Sequence, residues 1–172
     1  MIRQELKTSE YNSFYSGYLS LVSDDVELIS GYEADANMVL EFFSSIPEDK
    51  LDYKYAEGKW SIKEVFQHVI DTERVFQFRC FHIARQDKTP VPGFEQNDYI
   101  APSNATNKSI EDLIEEFTAV RKSFIVLLKS LSSEDLLQVG NANGSDMSAR
   151  AAAYIILGHS RHHINIINER YL

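Results

Sequence analysis

The sequence predicts an all-α protein, a four-helix bundle. Apolar residues recur at helical spacing in four long stretches, and helix-start signals precede the last three of them. No region alternates apolar and polar residues as a half-buried strand would. The chain has 172 residues, 44% of them hydrophobic, and contains no internal repeat or second composition block. It therefore reads as one domain over residues 1–172, long enough to bury a core without staples.

A tyrosine-rich segment comes first (Tyr11, Phe14, Tyr15, Tyr18), which either packs on the bundle or walls a pocket. The first helix spans Val26 to Phe43, with Ile29, Ala36, Val39 and Leu40 in its stripe, and stops at Pro47 and the charged run 48–52. Ser61 followed three residues later by Glu64 is a capping box, so the second helix runs from Ile62 to about Arg85. Pro90-Val91-Pro92-Gly93 then opens a long loop to Asn107, and Phe94, Tyr99 and Ile100 suggest that it folds back onto the bundle. Such a loop permits a connection that crosses the bundle.

Ser109 and Asp112 start the third helix, Ile110 to about Leu131, with Leu113, Phe117, Val120, Phe124 and Leu128 as its apolar stripe. A short helical turn follows at Ser133 to Leu137. Asn143-Gly144 is a turn pair, and Ser148 caps a last helix from Ala149 to about Arg170.

Seventeen basic against 26 acidic side chains give a net charge of −9, which repels phosphate backbones and anionic membrane surfaces. No nucleic-acid or membrane partner is expected. The first ten residues hold no apolar signal-peptide core, and no stretch approaches the roughly 18 apolar residues of a membrane span, so the expected location is cytoplasmic. One cysteine, Cys80, excludes a disulfide framework and a thiolate-built zinc site, and its apolar neighbours make it a core residue.

The histidines are the distinctive polar residues inside apolar helices: His68 and His82 on the second, His159, His162 and His163 on the last. Positions four apart share a helix face, so His159 and His163 can present nitrogens to one ion. If the second and last helices are neighbours, His68 can complete a three-imidazole site with open coordination positions. His82 lies fourteen residues from His68, roughly 21 Å along the axis, too far to join. Spacing alone leaves a second reading open, in which these are core histidines bonded to carbonyls or carboxylates. Glu64 and Asp71 flank His68 one turn either way and are candidates to orient its ring or accept a proton, against a cap role for Glu64 and a surface charge for Asp71. The zincin and di-iron carboxylate signatures, the serine-hydrolase elbow and phosphate-binding glycine loops are all missing.

Several stretches together resemble the DinB/YfiT-like superfamily. They are Tyr11-Asn12-Ser13-Phe14-Tyr15-Ser16-Gly17-Tyr18, Gly58-Lys59-Trp60-Ser61-Ile62-Lys63-Glu64-Val65-Phe66-Gln67-His68, Asp71-Thr72-Glu73-Arg74 and Pro90-Val91-Pro92-Gly93-Phe94. Gly158-His159-Ser160-Arg161-His162-His163 and Glu169-Arg170-Tyr171-Leu172 complete the set, which follows the family order across nearly the whole chain. The resemblance implies an up-down-down-up four-helix bundle, often a homodimer, with a divalent metal held by His68, His159 and His163. Zinc or nickel comes first, although imidazole also suits iron and copper.

The family includes S-transferases that activate a low-molecular-weight thiol such as bacillithiol, and others described as hydrolases. The function expected from it is a metal-dependent enzyme directing a small thiol or water at a small-molecule substrate. Two alternatives stay open. One is a non-catalytic metal- or ligand-binding bundle, with His162 or the Asn97-Asp98 loop as extra ligands. The other is a metal-free interaction protein whose last helix (Tyr154, Ile155, Ile164, Ile166, Ile167) forms a dimer seam.

Overall fold

A computed structural model describes residues 1–172. The helices are α1 (Ser16–Leu19), α2 (Leu28–Ser44), α3 (Ile62–Ala84), α4 (Gln96–Ser103), α5 (Ile110–Ser130), α6 (Ser133–Leu137) and α7 (Ala149–Arg170), with strands β1 (Val139–Ala142) and β2 (Ser145–Ser148) between α6 and α7. The bundle is α2, α3, α5 and α7, each starting and ending within a few residues of its expected bounds. Its starts are chemically defined. Ser61 Oγ accepts the Glu64 amide at 3.3 Å while Glu64 accepts the Ser61 amide at 2.6 Å, and Ser109 with Asp112 repeats the exchange on α5. Ser148 Oγ accepts the Ala151 amide at 3.0 Å on α7.

Two apolar clusters reveal the topology. One gathers the start of α2 (Leu28, Tyr32), the ends of α3 (Phe76, Cys80, Ile83) and α5 (Phe124, Leu128), and the start of α7 (Ala149 to Leu157). The other gathers the end of α2 (Val39, Phe43), the starts of α3 (Ile62 to Ile70) and α5 (Leu113, Phe117), and the end of α7 (Ile164, Ile167). Helices α2 and α7 therefore run one way and α3 and α5 the other, the up-down-down-up order. Between the clusters lies one buried polar layer. Arg121 on α5 donates to Glu73 on α3 at 2.7 and 2.9 Å and to Asp35 on α2 at 2.8 Å, with Ser160 of α7 at 3.4 Å.

The hairpin β1–β2 departs from the all-helical expectation. Asn143 and Gly144, at φ 54° and 75°, form a tight turn that pairs Ala142 with Ser145 and Val139 with Ser148. Val-Gly-Asn-Ala carries no apolar alternation, so the strand is dictated by the turn and by tertiary contact. The long loop also holds α4, which Pro102 near its end conceals in the sequence, and which stops at Asn104 in the left-handed region at φ 55°.

The amino-terminal segment is a strap of 3₁₀ turns and α1 laid along α7. Arg150 and Ser148 both donate to Glu10 at 2.7 Å, and Tyr154 Oη donates to the Met1 carbonyl at 3.0 Å. This strap and the bundle cover most of the α7 face expected as a dimer seam: Tyr154, Ile155 and Ile167 are at most 1% exposed and Ile164 is 9% exposed, while Ile166 is half-buried.

Candidate metal centre

The packing of α3 against α7 brings His68, His159 and His163 together. His159 Nε2 lies 3.1 Å from His68 Nε2 and 3.1 Å from His163 Nε2, and all three candidate ligand atoms fall within 4.8 Å of one another. Two nitrogens bound to one ion at about 2.0–2.1 Å, at angles between roughly 90° and 109°, stand about 2.8–3.4 Å apart. Both pairs through His159 match this, and the wider spread of the set, 4.8 Å, closes by a small ring movement when an ion is bound. A single N–H on His159 can serve only one of its two neighbours, whereas an ion takes all three lone pairs. Burial first, and then the neighbouring imidazoles, hold the three rings neutral: His68 is pushed down to about 4, and His159 and His163 lie well below the usual value. Neutral, converging imidazoles fit a divalent ion. His159 Nδ1, buried and without a hydrogen-bond partner, leaves that ring held by packing and by whatever its Nε2 meets.

The surroundings are built by neighbouring elements. Thr72 Oγ1, one turn along α3, lies 3.5 Å from His68 Nδ1, and the Trp60 ring packs 4.9 Å from the His68 ring. Tyr18 of α1 sets its ring edge against His159 and His162 at 5.4 and 5.1 Å. Gly158 permits this, because a Cβ there would sit 2.0 Å from the Tyr18 carbonyl oxygen. A cavity of about 240 Å³ opens beside His68 and His159, walled by Phe14, Tyr15, Tyr18, Thr72, Phe76, Arg79, Phe94 and Ile155 among others. The aromatic strap thus packs on the bundle and walls a pocket at once.

The remaining candidates lie elsewhere. Glu64 is taken up by the Ser61 cap and by Lys54 at 2.8 Å, which hold its carboxyl low against the opposing effect of burial. Asp71 accepts from Gln67 at 3.1 Å and Arg74 at 3.0 Å. Neither carboxylate is hydrogen-bonded to His68. His82 Nε2 meets the Thr89 carbonyl at 2.8 Å and fixes the turn after α3. His162 and Asn97 share a second cleft with His163, and Cys80 is buried with its thiol pushed up to about 12. Thr72, quoted only within a family stretch, and Arg79 were not read from the sequence as site residues. They share the helical face of His68 and Phe76, at positions 68, 72, 76 and 79, a spacing that reads as core until the cavity is seen.

A family model for the DinB superfamily matches residues 32–167. The chain belongs to the DinB superfamily. It is 25% identical over 146 residues to a protein of Oceanobacillus iheyensis named "Putative metal-dependent hydrolase", covering 83% of each chain. A Bacillus mycoides protein of the same name is 24% identical over 159 residues, covering 89% of this chain and 91% of its own. Among solved structures the fold resembles YfiT from Bacillus subtilis, described as a probable metal-dependent hydrolase with an unusual four-helix bundle topology. The TM-score is 0.73 at 15% identity, covering 95% of this chain and 89% of that one. For this DinB-superfamily protein the order of helices derived from its two apolar clusters therefore has a solved counterpart.

Proposed function

We propose that this protein is a metal-dependent enzyme in which His68, His159 and His163 hold a divalent ion, zinc or nickel foremost, and a small thiol or water attacks a small-molecule substrate. The observation that carries the proposal is the convergence of three neutral imidazoles, two of which, His68 and His159, line an aromatic cavity. No fourth His, Cys, Asp or Glu joins the cluster, which favours an open, reactive site over a closed structural one. When bound, the ion supplies Lewis acidity and lowers the pKa of the attacking group.

The chain's own residues do the rest. Thr72 orients His68 through Nδ1, so that Nε2 is directed at His159 Nε2. Tyr18 and Trp60 pack against the rings and exclude bulk water from one side. The cavity wall offers no serine or cysteine nucleophile, so the attacking group comes from solvent or from a thiol cofactor such as bacillithiol. Glu64 and Asp71 serve as a helix cap and as a link in a charge network, and take no proton in this scheme.

The deciding experiment measures metal content by elemental mass spectrometry on untagged protein, wild type against a His159→Ala, His163→Ala double variant. About one divalent ion per chain, lost in the variant, is expected. No ion in either, after dialysis against zinc and nickel, sinks the proposal. Turnover assays with water alone and with added bacillithiol then separate hydrolysis from S-transfer.

A further inference from the structure

We propose that Arg79 is the anchor for a carboxylate head group on the molecule that fills the cavity beside His68 and His159, an inference that rests on that cavity being the reaction site. The two largest side chains buried in the protein are both arginines, Arg121 and Arg79, and their surroundings differ. Arg121 is met by two carboxylates, those of Asp35 and Glu73, as a buried guanidinium requires. Arg79, 1% exposed, forms no ion pair. Its Nε has no hydrogen-bond partner, and its Nη2 reaches the Pro92 carbonyl only at 3.4 Å.

Phe76 and Phe94 stand 4.7 and 5.9 Å from the guanidinium carbon, which steadies the group without neutralising it. Glu95 also lines the cavity, but its Oε1 is engaged in capping α4, accepting both nitrogens of Asn97 at 3.0 and 2.9 Å. An arginine with free donors at a cavity wall is matched by a planar oxyanion, which it can grip with two parallel hydrogen bonds.

The position also selects the substrate. Eleven residues separate His68 from Arg79, about 16 Å of axial rise, shortened by the reach of the arginine back over Phe76. A ligand gripped at Arg79 therefore carries its carboxylate at the end remote from the atom presented to the histidines, with an apolar middle against Phe76, Tyr15 and Ile155.

The test uses sodium hexanoate as probe, with hexanol and hexylamine as controls, on metal-free and zinc-loaded full-length protein. Binding is read by titration calorimetry and by the Arg79 Nε–H signal in ¹⁵N-labelled protein. Hexanoate is expected to bind both forms and to shift that signal, with affinity at least tenfold weaker in Arg79→Met and partly restored in Arg79→Lys, while neither control binds. Hexanoate binding to Arg79→Met as tightly as to wild type overturns the proposal. So does binding seen only with zinc and without a shift of the Arg79 signal, because the anion then sits on the ion. Failure of the metal site itself shows separately, as absent metal with hexanoate binding intact.

Discussion

Gly158 is where one missing methyl decides the site's outer wall. Any side chain there drives Tyr18 off α7, so Gly158→Ala is expected to destabilise the protein by about 1–3 kcal/mol in urea unfolding, the usual range for overpacking. Thr72 acts on a finer scale. Thr72→Val keeps the shape and removes the only hydroxyl facing His68 Nδ1, and zinc affinity is expected to fall about tenfold with little change in stability. Unchanged affinity in a competition titration would remove Thr72 from the site.

At the scale of elements, α3 carries His68, Thr72 and Arg79, so its start and its lateral ties matter. Ser61→Ala removes one partner of the capping box and is expected to cost about 1 kcal/mol. Laterally, Glu116 of α5 receives Lys108 and Arg74 at 2.7 Å and Gln67 at 3.0 Å. Burial opposes its ionisation, but these hydrogen bonds outweigh it and hold the carboxyl down at about 2. A folded-state value below the unfolded one means that the stabilisation is complete above the unfolded value, near 4.5, and fades as pH falls toward 2. Glu116→Gln should therefore flatten the loss of stability across that acid window, measured as urea midpoints against pH. An unchanged profile would show that the α3–α5 tie contributes nothing.

For the whole molecule the Arg121 layer is the keystone between two apolar clusters. Burial pushes the Asp35 and Glu73 carboxyls up, while Arg121 pulls them back. Arg121→Met leaves Glu73 buried without a cation and Asp35 with only Arg161 at 3.7 Å, and is expected to cost about 3–5 kcal/mol. The outer surface has its own asymmetry: Phe78, Phe81 and Val126 of α3 and α5 are 50%, 43% and 56% exposed on one face.

Local chemistry determined much of this protein without tertiary help. Ser61-Glu64, Ser109-Asp112 and Ser148 start their helices through bonds spanning three residues, and the spacing of His159 and His163 follows from helix geometry alone. Short-range rules suffice there because donor and acceptor belong to the same turn. Only the tertiary structure decided which helices are neighbours, and so that His68 meets His159 across 91 residues while Glu64 and Asp71 find other partners. It also decided that the unassuming Val-Gly-Asn-Ala stretch is a strand, and that Arg79 is buried beside a cavity without a counter-charge. Those outcomes depend on what packs against each residue from distant parts of the chain, and no local pattern encodes it.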